Sequence, residues 1–325
     1  MLPEVRALPA GPGVYRFRDA QGRALYLGRA ADLRRRVASY WGDLRDRPHL
    51  RRMVPRIARV EAVWCDSEHE AAWLERTLLE ESPPRWNRAT GVEAAVYIGL
   101  HPRLEVRHHP GEAPVFGPYL GGEKVRLAVA GLERALSLAY AGDRLGGFDR
   151  DMARVRGVVP GSREDLVAEV AAVLGRDRAA RDRVVKALIE RRDRAAAALA
   201  FELAARIQAE IEALDWVTAE QKVAGCEPDG DIHGWAPLPA PSGAPTNTAA
   251  AAASASDGIS DGILVTFTLR GGRVRSWTQR RCAESAARPR VASTPEVWRP
   301  FADRNAALAA RLVPLARAAK SRRDP

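Results

Sequence analysis

The chain has 325 residues with 46% apolar content, enough for two or three soluble domains with real cores. It carries 51 lysines and arginines against 41 aspartates and glutamates, a formal charge of +10 that suits a polyanionic partner, although Arg-rich coding produces the same excess. No segment resembles the apolar run of about 18 residues that a membrane span requires. The opening MLPEVRALPAGPGVY lacks a basic stretch followed by an apolar one, so no secretion signal and a cytoplasmic location are expected. Cys65, Cys226 and Cys282 are odd in number and widely spaced, which excludes a disulfide framework and a CxxC pair.

In chain order, GVYRF (13–17) and RALYLG (23–28) alternate like strands around the turn Asp19-Ala20-Gln21-Gly22, predicting a hairpin. Residues 31–41 place Leu33, Val37 and Trp41 on one helical stripe, and a second helix is expected over 48–58. VEAVWC (60–65) predicts a strand, and Ser67 with Glu70 forms a capping box that opens a helix to about Glu81. The result is a compact α+β domain. The Pro- and Gly-rich stretch 102–126 allows short strands, and helices are expected over 123–140 and 163–175. Over 181–223 a long helical region steps through Leu199, Leu203, Ile207, Ile211 and Leu214, as a helical hairpin or partner-binding helix would. Residues 236–262 contain four prolines and no lysine or arginine, and predict a linker or disordered loop. ILVTFTLRGGRVRSW then reads as a hairpin turning at Gly271-Gly272, and a final helix is expected over 296–317.

Charge is unevenly placed. Residues 29–59 hold ten arginines against three acids, while residues 60–95 hold three arginines against eight acids. A basic run can be a solvated helix face or a phosphate-binding surface, and charge patterning does not choose between them. Neighbouring motifs do.

GVY at 13–15 and YLG at 26–28 on adjacent strands, followed by an Arg-rich helix, resemble the GIY-YIG nuclease signature. The likeness extends through residues 8–87, LPAGPGVYRFRDAQGRALYLGRAADLRRRVASYW and SEHEAAWLERTLLEESPPRWN, to the N-terminal nuclease domain of the UvrC family. FGPY at 116–119 also matches that family, ALAFELAARIQAEIEAL is similar to the UVR helical motif through which UvrC meets UvrB, and the hairpin at 263–277 looks like the opening of the RNase H-like half. The resemblance therefore implies a GIY-YIG domain over 1–92, a small antiparallel sheet flanked by helices. After it would come a connecting region over 93–180, a UVR-like motif over 181–223, and a partial RNase H-like remnant with a C-terminal helix over 224–325. No cysteine stands in the connecting region, so no iron-sulfur cluster is expected.

Position by position, the resemblance puts catalytic roles on Tyr15, Tyr26, Arg29, Arg36, Tyr40 and Asn87 and a metal-binding role on Glu75. Phosphodiester cleavage needs an activated water, a cation on the phosphate and positive charge where negative charge develops, and these residue types supply candidates for each. Glu75 shares a stripe with Ala71 and Leu78 at the edge of a buried face, where a carboxylate wants a cation. A lone carboxylate with waters suits a single Mg²⁺ or Mn²⁺. Without the motif, Tyr15 and Tyr26 would read as packing residues of a small sheet. A cation beside a phenol should lower its pKa. Arg29 stands where the family usually has lysine; it keeps the charge but cannot move a proton. Arg34, Arg35, Arg51, Arg52 and Arg56 are the candidate nucleic-acid contacts.

Departures from the family include Trp86 for tyrosine, Glu80 for lysine, the segment TGVEAAVYI after Asn87, and Gln208-Ala209 for an Arg-Asp pair. The implied function is a metal-dependent endonuclease of nucleotide excision repair. It would make a single, 3′-side incision in double-stranded DNA bearing a lesion or distortion, with a UvrB-type helicase met through 181–223 and no membrane partner. The alternative is a non-catalytic DNA-binding or adaptor paralogue, motivated by Arg29, Glu80 and the segment after Asn87. A self-contained GIY-YIG nuclease of the restriction or mobile-element kind fits less well with the FGPY and UVR-like segments.

Overall fold

The computed structural model describes residues 2–42, 44, 48–87, 94–100, 103–111, 114–142, 145–158, 162–220, 222–223, 229–239 and 261–313. The chain divides into two compact units, one of residues 1–89 with 221–325 and one of residues 90–220. These boundaries differ from the four consecutive segments expected from sequence: 224–325 joins the N-terminal unit, and 93–180 with nearly all of 181–223 makes the other.

In the first unit, β1 (Gly13–Arg18) and β2 (Ala24–Ala30) form the expected hairpin, and β3 (Arg59–Trp64) pairs antiparallel with the other edge of β1, giving the order β2-β1-β3. Helix α1 (Leu33–Ala38) starts on Asp32, whose carboxylate accepts the Arg35 N–H at 2.8 Å. The helix expected over 48–58 is instead two 3₁₀ turns, Pro48–Arg52 and Val54–Arg56. Their bonds, Met53 to Leu50 and Arg56 to Met53, are of the i to i−3 kind, and Pro55, which has no N–H, prevents an α-helical ladder there.

Helix α2 (Glu68–Glu81) begins as expected, with Ser67 Oγ accepting the Glu70 N–H at 3.0 Å. The reciprocal half of the capping box differs. Glu70 accepts from the Asp66 N–H at 2.6 Å and the Lys222 N–H at 2.7 Å instead of from Ser67.

The C-terminal residues of this unit build a second antiparallel sheet, β7 (Gly230–Pro237), β8 (Asp261–Arg270) and β9 (Arg273–Ala283), followed by α8 (Glu284–Ala292) and α9 (Arg299–Leu312). Residues 236–237 and 261–262 thus belong to strands rather than to the expected loop, of which 240–260 lie outside the described residues. The final helix ends at Leu312, and residues 314–317 of its expected span lie outside them too. Leu308 and Leu312 of α9 enter the core that holds Tyr15, Phe17, Leu33, Val37 and Val60. Asn305 of α9 accepts the Trp64 N–H at 2.7 Å and donates to its carbonyl at 3.2 Å, so one side chain satisfies the outward backbone groups of Trp64 on the free edge of β3.

In the second unit, β4 (Val96–Gly99) is flanked by β5 (Glu105–Arg107) and β6 (Val115–Tyr119). Helices α3 (Gly122–Leu136), α4 (Gly147–Arg156), α5 (Arg163–Leu174), α6 (Arg178–Ala197) and α7 (Phe201–Thr218) complete it, α4 being unanticipated. The apolar steps of 199–214 do not form one stripe. Ile207, Ile211 and Leu214 are core, whereas Leu199, with φ of 59°, forms the turn of the α6–α7 hairpin and is exposed with Phe201 and Leu203. Glu210, fully buried, is held by a two-pronged pair with Arg134 at 2.6 and 2.8 Å. No described helix is long and apolar enough to cross a membrane.

Candidate active site

Tyr15 and Tyr26 converge because the hairpin register requires it. Phe17 lies opposite Tyr26, and Tyr15 lies opposite Gly28, on the same face of the sheet two residues along. Gly28 has to be glycine: a Cβ there would stand 2.6 Å from the Tyr15 hydroxyl and 2.8 Å from the Tyr26 ring. Gly13 likewise lets β1 approach the Val63 carbonyl, where a Cβ would come within 2.3 Å. Both glycines of the paired tripeptides are therefore explained by close packing.

The 3₁₀ turn Ser39–Trp41 after α1 brings Tyr40 into the same cluster. Ring centroids are 5.8 Å apart for Tyr15 and Tyr40, 5.9 Å for Tyr26 and Tyr40, and 6.2 Å for Tyr15 and Tyr26. The Tyr15 and Tyr40 hydroxyls share a hydrogen bond of 2.7 Å. Arg36, one helical turn earlier, places its guanidinium 5.7 Å from the Tyr40 ring centre.

Glu75 projects from the middle of α2, at the edge of its buried face as the spacing predicts. Its side chain is 22% exposed and meets Arg29 twice: the Arg29 N–H donates to Oε1 at 3.1 Å, and the guanidinium lies 3.2 Å from Oε2. Asn87 grips β2 from outside. Its Oδ1 accepts the Leu27 N–H at 2.9 Å and its Nδ2 donates to the Leu27 carbonyl at 2.7 Å, which anchors the strand between Tyr26 and Gly28.

The electrostatics correct one expectation. Arg36 favours the phenolates as anticipated, but burial outweighs it: the Tyr15 phenol is pushed up to about 12, with Tyr26 adding to the rise. Tyr26 and Tyr40 are also raised, by burial first and then by a neighbouring phenol, Tyr40 acting on Tyr26 and Tyr15 on Tyr40. At neutral pH these tyrosines are therefore neutral donors and acceptors. Burial likewise raises the Glu75 carboxyl, against the pull of Arg29 and Arg36. A half-buried carboxylate whose charge is underneutralised, with one face open, fits a hard divalent cation that keeps most of its waters. Among the described residues no group of three or more His, Cys, Asp or Glu side chains gathers as a metal cage.

Arg34 and Arg35 are exposed on α1, and Arg51, Arg52 and Arg56 on the 3₁₀ turns. None has a carboxylate partner among the described residues, although Arg34 donates to the Leu8 carbonyl at 2.7 Å and Arg56 lies 5.9 Å from the Trp86 ring centre. Glu80, the family departure, pairs with Arg76 on its own helix at 2.7 Å. Sequence reasoning missed a set of part-buried ion pairs in this unit. There Asp66 holds Lys222 at 2.9 Å and Arg304 at 2.6 Å, while Glu61 holds Arg16 at 2.7 Å and Arg18 at 2.8 Å. Only the acidity of 60–95 hinted at it.

Residues 11–88 match the family described as the UvrC-like GIY-YIG domain. UvrABC system protein C of Trichlorobacter lovleyi is 30% identical over 250 residues, covering 71% of this chain and 41% of that protein. The Mycobacterium tuberculosis protein of the same name is 33% identical over 258 residues, covering 72% of this chain and 40% of that one. The chain thus spans about two fifths of the length of these curated relatives. Among solved structures, the GIY-YIG N-terminal endonuclease domain of UvrC from Thermotoga maritima, bound to its catalytic magnesium, is 28% identical; the match covers 27% of this chain and all of that one with a TM-score of 0.24. The chain is a homologue of UvrABC system protein C that carries a UvrC-like GIY-YIG domain.

Proposed function

We propose that this protein is a DNA endonuclease of the UvrC kind, cutting one phosphodiester bond per encounter on the 3′ side of a lesion or distortion in duplex DNA. The observation that carries the reading is the convergence of Tyr15, Tyr26 and Tyr40 with Arg36 on one face of a sheet whose adjoining helix offers Glu75.

Each residue has work it can do. Arg36 is a fixed, planar cation suited to a phosphate oxygen and to the charge that grows there as the bond breaks. Tyr15 and Tyr40, linked at 2.7 Å, accept and donate together, so they orient a water or a phosphate oxygen and pass a proton along the pair. Glu75 would hold Mg²⁺ or Mn²⁺, which when bound supplies Lewis-acid polarisation and a more acidic water. Arg29 partly neutralises Glu75 and holds its carboxylate in place; being permanently charged, it takes no part in proton transfer. Asn87 acts as a positioning residue, since both ends of its amide hold Leu27. Arg34, Arg35, Arg51, Arg52 and Arg56 would supply phosphate contacts that set affinity without reading sequence.

A UvrB-type helicase is the proposed partner, and the exposed turn carrying Leu199, Phe201 and Leu203 is the part of 181–223 free to meet it, because the lower α7 stripe is core. The second reading, a DNA-binding adaptor without turnover, is favoured by one observation: Arg29 already sits on the carboxylate that a cation would need. Incision of a lesion-bearing duplex in Mg²⁺ or Mn²⁺, with and without a preloaded UvrB-type helicase, separates the two. Nicking by the wild type that is lost in Tyr26→Phe and Glu75→Ala supports the nuclease; salt-sensitive binding with no nicking under any condition supports the adaptor.

A further inference from the structure

The second sheet of the first unit has two faces with different fates. Gly234 of β7 faces α9, where a Cβ would come within 2.2 Å of the Ala302 carbonyl. Its neighbours in sequence must therefore point the other way. On that other face the register aligns His233, Thr266 and Thr278 in one row across β7, β8 and β9, with Arg280 in the next row and Asp231 on the far side. Arg290 of α8 joins them around a cavity of about 480 Å³. That size lies within the roughly 300–1,000 Å³ of small-molecule sites.

The arginines of β9 and α8 sort themselves. Arg275 pairs with Glu81, Arg281 with Asp261 and Arg288 with Glu284, while Arg273 lies 4.7 Å from the Trp73 ring centre. Arg280 and Arg290 have no ion pair or side-chain hydrogen bond among the described residues, and they are the two that line the cavity. Beside them the His233 ring is fixed, its Nδ1 3.0 Å from Thr266 Oγ1 and its backbone pinned to Thr294 through two contacts of 2.9 Å. Two guanidiniums and one carboxylate leave a single positive charge, the complement of one phosphodiester. Hydroxyls of Thr266 and Thr278 on the cavity wall supply short polar groups between the charges.

We infer that this cavity, where Arg280 and Arg290 face the His233–Thr266–Thr278 row, is a second phosphate-binding site, which the DNA backbone fills outside the tyrosine cluster. The choice of DNA as the source rests on the endonuclease reading; the phosphate chemistry of the site does not.

The test uses the full chain and the variant Arg280→Ala/Arg290→Ala. Affinity for a short undamaged duplex is measured between about 50 and 200 mM salt, and the log–log slope of the variant should be shallower by about one phosphate contact. Arg281→Ala removes one positive charge from an arginine already paired with Asp261 and should leave the slope alone. In parallel, inorganic phosphate is titrated and the rise in melting temperature followed. A phosphate-induced rise that the double variant loses, with its duplex slope unchanged, supports the site and identifies free phosphate as its source. Equal behaviour of the double variant and the wild type in both arms overturns the site, and so does an equal slope change in Arg281→Ala. Wild-type nicking of a lesion-bearing duplex, scored separately with and without a UvrB-type helicase, reports on the nuclease reading: a wild type that nicks under neither condition, beside a double variant with an altered slope, would reject the nuclease and keep the site.

Discussion

Helix α2 carries two glutamates that meet different fates. Glu70, in its first turn, is completely buried, and both its oxygens are taken by backbone N–H groups of Asp66 and Lys222. Glu75, further along, keeps 22% of its side chain exposed and, among the described residues, is hydrogen-bonded or ion-paired only with Arg29. The same residue type on one helix is thus a strut in one place and an accessible carboxylate, the proposed metal ligand, in the other. Each accepts one contact on each oxygen and burial raises both carboxyls, so what separates them is enclosure: Glu70 is sealed in and held by two backbone N–H groups, whereas Glu75 keeps an exposed side and shares its oxygens with Arg29. A cation can compete for Glu75; nothing can reach Glu70.

The sharpest way to break this comparison is to remove the open carboxylate. Glu75→Ala should lower nicking in Mg²⁺ at least about 100-fold, the scale of losing a group that holds or orients a catalytic ion. Its melting temperature should change little, because the carboxylate it loses is desolvated and incompletely paired. A large loss of stability without a selective loss of nicking would place Glu75 with Glu70 among the struts.

The strut has its own signature, in pH. Burial pushes the Glu70 carboxyl up to about 7 from its ordinary 4.5. The folded protein therefore holds a proton that the unfolded chain has already lost between those values. Stability from this group is complete below about pH 4.5 and falls as pH rises through 7, by up to about 3 kcal/mol. Asp66 and Glu61, lowered by the cations around them, act in the opposite sense but in a lower window, as pH falls through their own depressed values. Urea midpoints at pH 5 and pH 8 should show the decline in the wild type and a much flatter profile in Glu70→Gln. An equal decline in both would assign it to other groups.

Much of this region was legible in the sequence, for physical reasons that can be named. The hairpin is a local pairing with a four-residue turn, and α2 opens on a Ser67 cap followed by an amphipathic run, so short-range chemistry fixes both. The tyrosines and Glu75 were found through the resemblance, and the geometry adds why Gly13 and Gly28 accompany them. Glu70 was legible only as half of a capping box. Its second partner, Lys222, comes from far along the chain, and no local pattern announces it. The same holds for the row His233–Thr266–Thr278, whose members meet through strand register alone. The 48–58 helix failed because Pro55 has no N–H to continue the ladder, and Leu199 failed because a four-residue step continued across a chain reversal.

Between the strut and the ligand stands Asn87, which sharpens the comparison by a smaller margin. It touches neither glutamate; it holds Leu27 on both sides, in the strand that carries Tyr26 and, at Arg29, the partner of Glu75. Asn87→Ala should cost about 1–3 kcal/mol of stability for two lost hydrogen bonds and the backbone groups they leave unpaired. Asn87→Asp keeps the acceptor and loses the donor, so its loss should be intermediate in chemical denaturation. A positioning role also predicts that nicking falls in step with the loosening of β2. Full activity in a destabilised Asn87→Ala would confine the residue to stability.

The smallest expected effect concerns Arg29 itself. Its guanidinium is nearly half exposed, so the ion pair with Glu75 contributes at most about 1 kcal/mol to stability. Its larger consequence lies in competition, because a guanidinium 3.2 Å from Oε2 partly neutralises the charge that a divalent ion would seek. Arg29→Gln keeps the backbone N–H to Glu75 Oε1 and removes only the cation, leaving the carboxylate more open and further from the enclosed state of Glu70. Titrating Mg²⁺ and following the melting temperature should then show the rise beginning at several-fold lower concentration in the variant than in the wild type, since stabilisation by a bound ion grows with concentration over dissociation constant. The measurement does not depend on turnover, so it holds for a nuclease and for an adaptor alike. An unchanged Mg²⁺ midpoint would mean that Arg29 and the ion do not share Glu75, and that the openness of this carboxylate is set by burial alone.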